Sequence, residues 1–188
     1  MTDLTEDTLA PDVVIRRSPA AEVDIRPGAD GSPPVVGVTQ GAVWARAEPS
    51  SPGVDLGHGS LNVVVRAGTV LLDAQAGSGL VIVLRGTVEI SGGGELTRAA
   101  HAGEALAFDG SGTVGDADPV DAAELAHDPF VSLNLVLDAL GGVPIQLEAE
   151  EPAGATRPSV PASSGFSAPS ADAERKRGRS RFGGKARR

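Results

Sequence analysis

Residues 80–110, LVIVLRGTVEISGGGELTRAAHAGEALAFDG, decide the fold. Leu80–Leu84 is an unbroken apolar run, too short for an ordinary helix and suited to a strand covered on both faces. It passes through Arg85–Gly86 into Thr87–Ile90, which alternates. Val88 and Ile90 point to one face, Thr87 and Glu89 to the other. Ser91–Gly94 reads SGGG, residues that accept positive φ, so the chain should reverse there in a hairpin. ELTRAA then returns as a third strand, and HAGEALAF follows it.

Strand, Arg-Gly, strand, glycine hairpin, then G-E-x-L-x-F is the local order of a cupin half-barrel, in which two sheets of a jelly roll enclose a pocket. A cyclic-nucleotide-binding roll shares part of this order. It would need a phosphate-cassette arginine beside a short Gly-Glu helix, and the sequence has none. The same texture extends outward in both directions. Asp12–Arg16, Val35–Thr39, Gly41–Ala47, Leu61–Arg66, Thr69–Leu72, Val131–Leu137 and Ile145–Glu148 are short runs rich in branched residues, separated by Gly, Pro, Asp or Ser. Such runs at near-regular spacing predict an all-β sandwich or barrel. No window of twelve or more residues shows an i, i+3, i+4, i+7 apolar stripe free of Gly and Pro, so helix should be limited to a single turn near Ala122–Ala126. The expected fold is a cupin-like jelly roll, a double-stranded β-helix barrel with disordered termini.

Charge divides the chain. Residues 1–151 carry 7 basic and 23 acidic side chains, a net −16, while residues 152–188 carry 9 basic and 2 acidic, a net +7. The second stretch, EPAGATRPSVPASSGFSAPSADAERKRGRSRFGGKARR from Glu151 onward, is built from Pro, Ser, Ala, Gly and Arg. It has too few apolar side chains to offset about 1–2 kcal/mol of backbone entropy per residue. The expected organisation is an acidic arm over 1–12, a cupin-like β-barrel over 13–151 and a disordered basic tail over 152–188.

Cysteine is absent from the 188 residues, which excludes disulfides, thiolate zinc sites and cysteine nucleophiles. No stretch reaches the ~18 apolar residues of a membrane span. Met1–Ala10 lacks the basic-then-apolar order of a secretion signal. A soluble, cytoplasmic protein without a membrane span is the expectation.

From Leu80 to Asp138 the chain resembles the HutD/Ves family of small cupin-like bacterial proteins. The resembling pieces are LVIVLRGTVEI, EALAFDGSGTVGDADPVDAAEL and DPFVSLNLVLD, with the family's Phe-Asp-Gly element at Phe108–Gly110 and its late-strand Asn-Leu pair at Asn134–Leu135. The family's Trp-Lys-Asn-Gly-Gly-Gly segment has no counterpart, since Trp44 stands in AVWARAEPS. The resemblance implies a non-enzymatic bicupin fold associated with stress response or with modulation of histidine utilisation through the binding of a small acidic metabolite.

The residues themselves offer little catalytic chemistry. A cupin metal site needs a His-x-His pair, a nearby carboxylate and a later third histidine converging on one ion. Here His58, His101 and His127 are far apart, Leu71–Ala74 occupies the place of the pair, and Leu106 that of the third ligand. No metal and no cofactor are expected. There is no G-x-S-x-G elbow, Ser132 has no partner base, and Asp116, Asp118, Asp121 and Glu124 read as a solvated acidic loop.

Binding remains. Arg66 and Arg85 end apolar runs in an acidic body; each could grip a carboxylate ligand in a bidentate fork, or pair with a surface Asp or Glu. Asn134, set among apolar neighbours, must be satisfied by backbone or ligand if buried; the alternation of Val131, Leu133, Leu135 and Leu137 instead places it on the wet face of a strand. In the tail, Arg175, Lys176, Arg177, Arg179, Arg181, Lys185, Arg187 and Arg188 put eight positive charges into fourteen residues. Such a run attracts phosphate backbones, anionic surfaces or acidic proteins with little sequence selectivity. Two functions lead, and a cupin enzyme such as an isomerase or lyase working with carboxylates alone stands third. One is a non-catalytic cupin-like protein binding a small acidic metabolite. The other is an interaction protein whose tail binds nucleic acid or an acidic partner, with the barrel as scaffold. A homodimer joined through a sheet edge is the default assembly.

Overall fold

A computed structural model describes residues 4–94, 97–143 and 145. The basic tail of 152–188 lies outside the described residues, as does nearly all of the run expected over Ile145–Glu148.

The body is mainly β, as the alternation and turn chemistry require. Ten strands form one sheet: β1 (Thr5–Ala10), β2 (Val13–Arg17), β3 (Glu22–Arg26), β4 (Val35–Ala47), β5 (Val54–His58), β6 (Leu61–Gln75), β7 (Ser78–Ser91), β8 (Arg98–His101), β9 (Glu104–Asp109) and β10 (Val114–Pro119). The spatial order is β1-β2-β4-β5-β6-β7-β9-β10, with β3 on β4, β8 on β7, and β4 also meeting β6. Neighbours are antiparallel except β4 and β5. The sheet is not closed, because β1 and β10 stand at its two ends, each paired on one side only. This departs from the closed double sheet expected. The stretch read as an acidic arm contributes a strand, β1.

Three strands are twice the expected length. Runs that read as separate strands on either side of a glycine are continuous in β4, β6 and β7. What changes at the glycine is the buried face. In β6, Leu61, Val63 and Val65 are buried on one side of Gly68, and Val70, Leu72 and Ala74 on the other, so the inward parity switches from odd to even. In β7 it switches from Val81 and Val83 to Val88 and Ile90 across Gly86. Gly68 and Gly86 are register partners with φ of 157° and 76°. Positive φ and the absence of a side chain let the two strands bend together here. Both halves of each long strand thereby face the main apolar core, in which Ile15, Val43, Leu56, Leu72, Ile90 and Leu106 are buried.

The short turn expected near Ala122–Ala126 is α1 (Ala122–Leu125). A second helix, α2 (Pro129–Leu140), replaces the expected strand Val131–Leu137. Asp128 caps it, its carboxylate accepting from the Val131 amide at 2.9 Å, and Pro129 opens the first turn. The segment PFVSLNLVLDAL is apolar on nearly every side, so a period of two and a period of 3.6 both fit it. The Asp-Pro start favours the helix. Phe130 and Val131 pack with Trp44, Leu71, Ile82 and Leu84 in a second, smaller core on the outer face of the sheet.

Candidate functional site

The outer face of the sheet carries one row of side chains across its strands. The register pairs Glu6 of β1 with Arg16 of β2, Arg16 with Trp44 of β4, Trp44 with Leu71 of β6, and Leu71 with Ile82 of β7. Cross-strand partners project from the same face. Arg46, two residues beyond Trp44, stands on that face as well. The row is therefore charged at the β1 end and apolar at the β7 end, and α2 matches it: Phe130 and Val131 sit in the apolar part, Asn134 and Asp138 reach the charged part.

Asp138, fully buried, collects three donors. Its Oδ1 accepts from an Nη of Arg16 at 2.6 Å and from an Nη of Arg46 at 2.9 Å, and its Oδ2 accepts from the Trp44 indole at 3.0 Å. Arg16 also donates through Nε to Glu6 at 2.6 Å. Burial opposes the charged form of Arg16, but the hydrogen bonds and charges of Asp138 and Glu6 outweigh it and raise its pKa above the ordinary value. Arg46 lies 3.9 Å from Glu48, which Arg85 grips at 2.7 Å. The result is a line of six alternating charges, Arg85, Glu48, Arg46, Asp138, Arg16 and Glu6. It balances internally. Both oxygens of Asp138 are engaged, so this carboxylate is a polar key that fixes where α2 docks.

Asn134 is fully buried on α2, which corrects the expectation of a wet strand face. Its Nδ2 donates to the Phe130 carbonyl at 2.8 Å and its Oδ1 lies 3.4 Å from an Nη of Arg16. Backbone and neighbours satisfy it. Arg85 sits in the charge line, while Arg66 is an exposed side chain that pairs with Asp55 at 3.2 Å. No hydrogen bond or ion pair joins Arg66, Arg85 and Asn134 to one another. Reading the sequence missed Arg16, Arg46 and Asp138. Their signal was a charge in mid-run, in VVIRR, AVWARA and LVLDAL.

The histidines do not meet. His58 contacts the Val38 carbonyl through Nδ1 at 2.8 Å, and His101 lies 3.2 Å from the Thr87 hydroxyl. Among the described residues no group of three or more His, Asp or Glu is placed to hold a metal ion. None of the described helices is long and apolar enough to cross a membrane. An open cleft of about 520 Å³ lies where the end of β1 meets the loops before β4 and β5, and four prolines, Pro11, Pro27, Pro34 and Pro52, line it with Ser50 and Ser51. No charged residue lines it.

No family model and no curated protein matches the sequence. Among solved structures, the chain is similar to a protein of Parabacteroides distasonis ATCC 8503 described as a "putative anti-sigma factor". One crystal structure of it matches at 15% identity with a TM-score of 0.54, covering 73% of this chain and 70% of that one. A second matches at 14% identity with a TM-score of 0.55, covering 75% and 72%. At that identity the likeness is one of fold.

Proposed function

We propose that this chain is a regulatory interaction module that acts by binding a protein partner, and that the partner is a sigma factor, as the description of its structural neighbours suggests. The observation that carries the reading is the fold likeness, which spans about three-quarters of the chain. The geometry is compatible with it. The ion line holds α2 in place against the outer face of the sheet through the buried Asp138. The sheet ends at β1 and β10 leave backbone donors and acceptors that a partner segment can pair with. The basic run Arg175–Arg188 adds attraction for an acidic partner.

The cupin-like alternative, with a small acidic metabolite as ligand, finds less support. The cleft has no cationic lining residue to balance a carboxylate, and Arg16, Arg46, Arg66 and Arg85 each already face an acidic side chain. Calorimetric titration of the full chain against each sigma factor encoded in the same genome tests the proposal. A saturable one-to-one complex with one of them is expected. Heats indistinguishable from dilution for all of them overturn it.

A further inference from the structure

Among the described residues four strands, β1, β3, β8 and β10, have a neighbour on one side only. An open edge is a template for another strand, and a second copy of the same edge is one candidate occupant. A two-fold axis sets each strand antiparallel to itself, so a charged strand pairs well with its copy only if it carries both signs. Strands β1 (TEDTLA) and β10 (VGDADP) carry acidic charges only, and β8 (RAAH) carries no acid. In β1 and β10 the extra residue of the bulge lies on the edge strand itself, so a copy would have to match bulge against bulge. Arg98 of β8 already donates to the Gly115 carbonyl at 2.8 Å. Strand β3, EVDIR, differs on each count. It carries both signs, and its one irregularity against β4 lies in β4, where Thr39 is the extra residue. Glu22, Asp24 and Arg26 are exposed, while Val23 and Ile25 are half-buried against the main core. Asp24 and Arg26 form an ion pair at 2.7 Å, with their side chains 63% and 76% exposed.

We propose that the free edge of β3 is the interface between two copies of this chain, paired antiparallel about a two-fold axis at Ile25. In that register Asp24 of each copy stands opposite Arg26 of the other, and Ile25 stands opposite its own copy. The two Asp24–Arg26 ion pairs then close into a ring of four alternating charges, with no like charges opposed. Main-chain hydrogen bonds supply the attraction and the ring selects the register. An axis at Asp24 would set that carboxylate against its copy and is disfavoured. A strand of five residues is about 17 Å long, so the contact is smaller than that of an obligate dimer and the association is weak and concentration-dependent. The net −16 of residues 1–151 opposes pairing at low salt. At about 0.15 M salt, charges more than about 8 Å apart are largely screened, and the ring at the contact decides. A foreign strand is the less favoured occupant, because it has no need of a self-complementary pattern. The inference stands apart from the sigma-factor proposal.

The test is sedimentation velocity of the full chain from about 1 μM to about 500 μM in about 0.15 M salt. Expected is a reversible equilibrium between monomer and dimer. Asp24→Arg opposes two basic side chains at each end of the ring, and Arg26→Asp opposes two acidic ones. Each should raise the dimer Kd about tenfold or more. The double reversal Asp24→Arg/Arg26→Asp rebuilds the ring with its signs exchanged and should return the Kd to within about threefold of the parent. An equimolar mixture of the two single variants should pair as a heterodimer. Unchanged circular dichroism of each variant shows that the fold persists. No association up to the highest concentration overturns the proposal. So does a dimer that the single reversals leave intact, and so does one that the double reversal fails to restore.

Discussion

The indole of Trp44 donates to a carboxylate oxygen of Asp138 at 3.0 Å across 94 residues of sequence, joining the middle of β4 to the last turn of α2. Both partners are fully buried. The bond gives α2 a fixed rotation about its own axis, because only one face of the helix carries a group that can reach the indole and the two arginines at once. Apolar contacts alone would not select that face on a helix with leucine or valine on every side.

Asp138→Asn should therefore be costly despite its small change in shape. It removes the charge that Arg16 and Arg46 share and leaves two guanidinium groups at a buried seam with one carboxylate fewer. Breaking a buried pair in this way costs about 3–5 kcal/mol. Urea unfolding followed by fluorescence should show the midpoint falling, and Trp44, the chain's single tryptophan, should emit further to the red as α2 loosens. The same stability and emission as the parent would mean that the seam does not hold the helix. Replacing Asp138 together with Arg16 and Arg46 by apolar residues of similar volume should recover most of the loss.

Asp128→Ala tests the start of the same helix. The carboxylate of Asp128 satisfies the Val131 amide, one of the donors that a first turn leaves without a helical partner. Its removal should cost about 0.5–2 kcal/mol, less than the Asp138 change, and the two effects should not add fully because both act on α2. A loss equal to or greater than that of Asp138→Asn would shift the main anchor of α2 to its N-terminus.

The strands were legible where alternation and glycine coincide. LVIVLRGTVEISGGG gave the apolar run, the alternating half and the hairpin, and Gly93 and Gly94 do adopt positive φ. The same glycines also misled, because Gly41, Gly68 and Gly86 look like strand ends and are bends inside continuous strands. A glycine marks permitted conformations; only pairing across the sheet decides between a turn and a bend. Strand β3, EVDIR, alternates but is so charged that it reads as loop, and its partner β4 supplies the missing reason. The charge line was not legible at all. Glu6, Arg16, Arg46 and Asp138 lie up to 132 residues apart, and nothing local announces that register and a helix bring them together.

Gly86→Ala probes the bend. Gly86 has φ of 76°, and an added Cβ would strike the Ala67 carbonyl oxygen and come within 3.1 Å of the Gly68 Cα. Backbone strain and overpacking together should cost about 2–4 kcal/mol, measured by thermal or urea unfolding. Gly94→Ala makes a useful contrast. It also has positive φ, 79°, but nothing lies within 4 Å of the new methyl, so it should cost about 1–2 kcal/mol from backbone conformation alone. Equal losses at the two positions would show that close approach of β6 and β7 at Gly86 contributes nothing.

Asp109 makes the acid limb of stability testable. Its carboxylate accepts from the Ser111 hydroxyl at 2.6 Å, from the Thr113 amide at 3.0 Å and from the Ser111 amide at 2.9 Å, closing the turn between β9 and β10. The Ser111 hydroxyl first, and the Thr113 amide after it, hold its pKa below the ordinary carboxylate value. A carboxylate whose folded pKa is depressed binds protons more readily when unfolded. Its contribution is therefore complete above the unfolded pKa of about 4 and disappears as pH falls through the lower folded value. Asp109→Asn should melt at a lower temperature than the parent at neutral pH, with the gap constant down to about pH 5 and closing steadily below about pH 4. Melting curves across that range decide it. A gap that stays constant down to the acid end would mean that the turn is held by shape, with no share for the charge of Asp109.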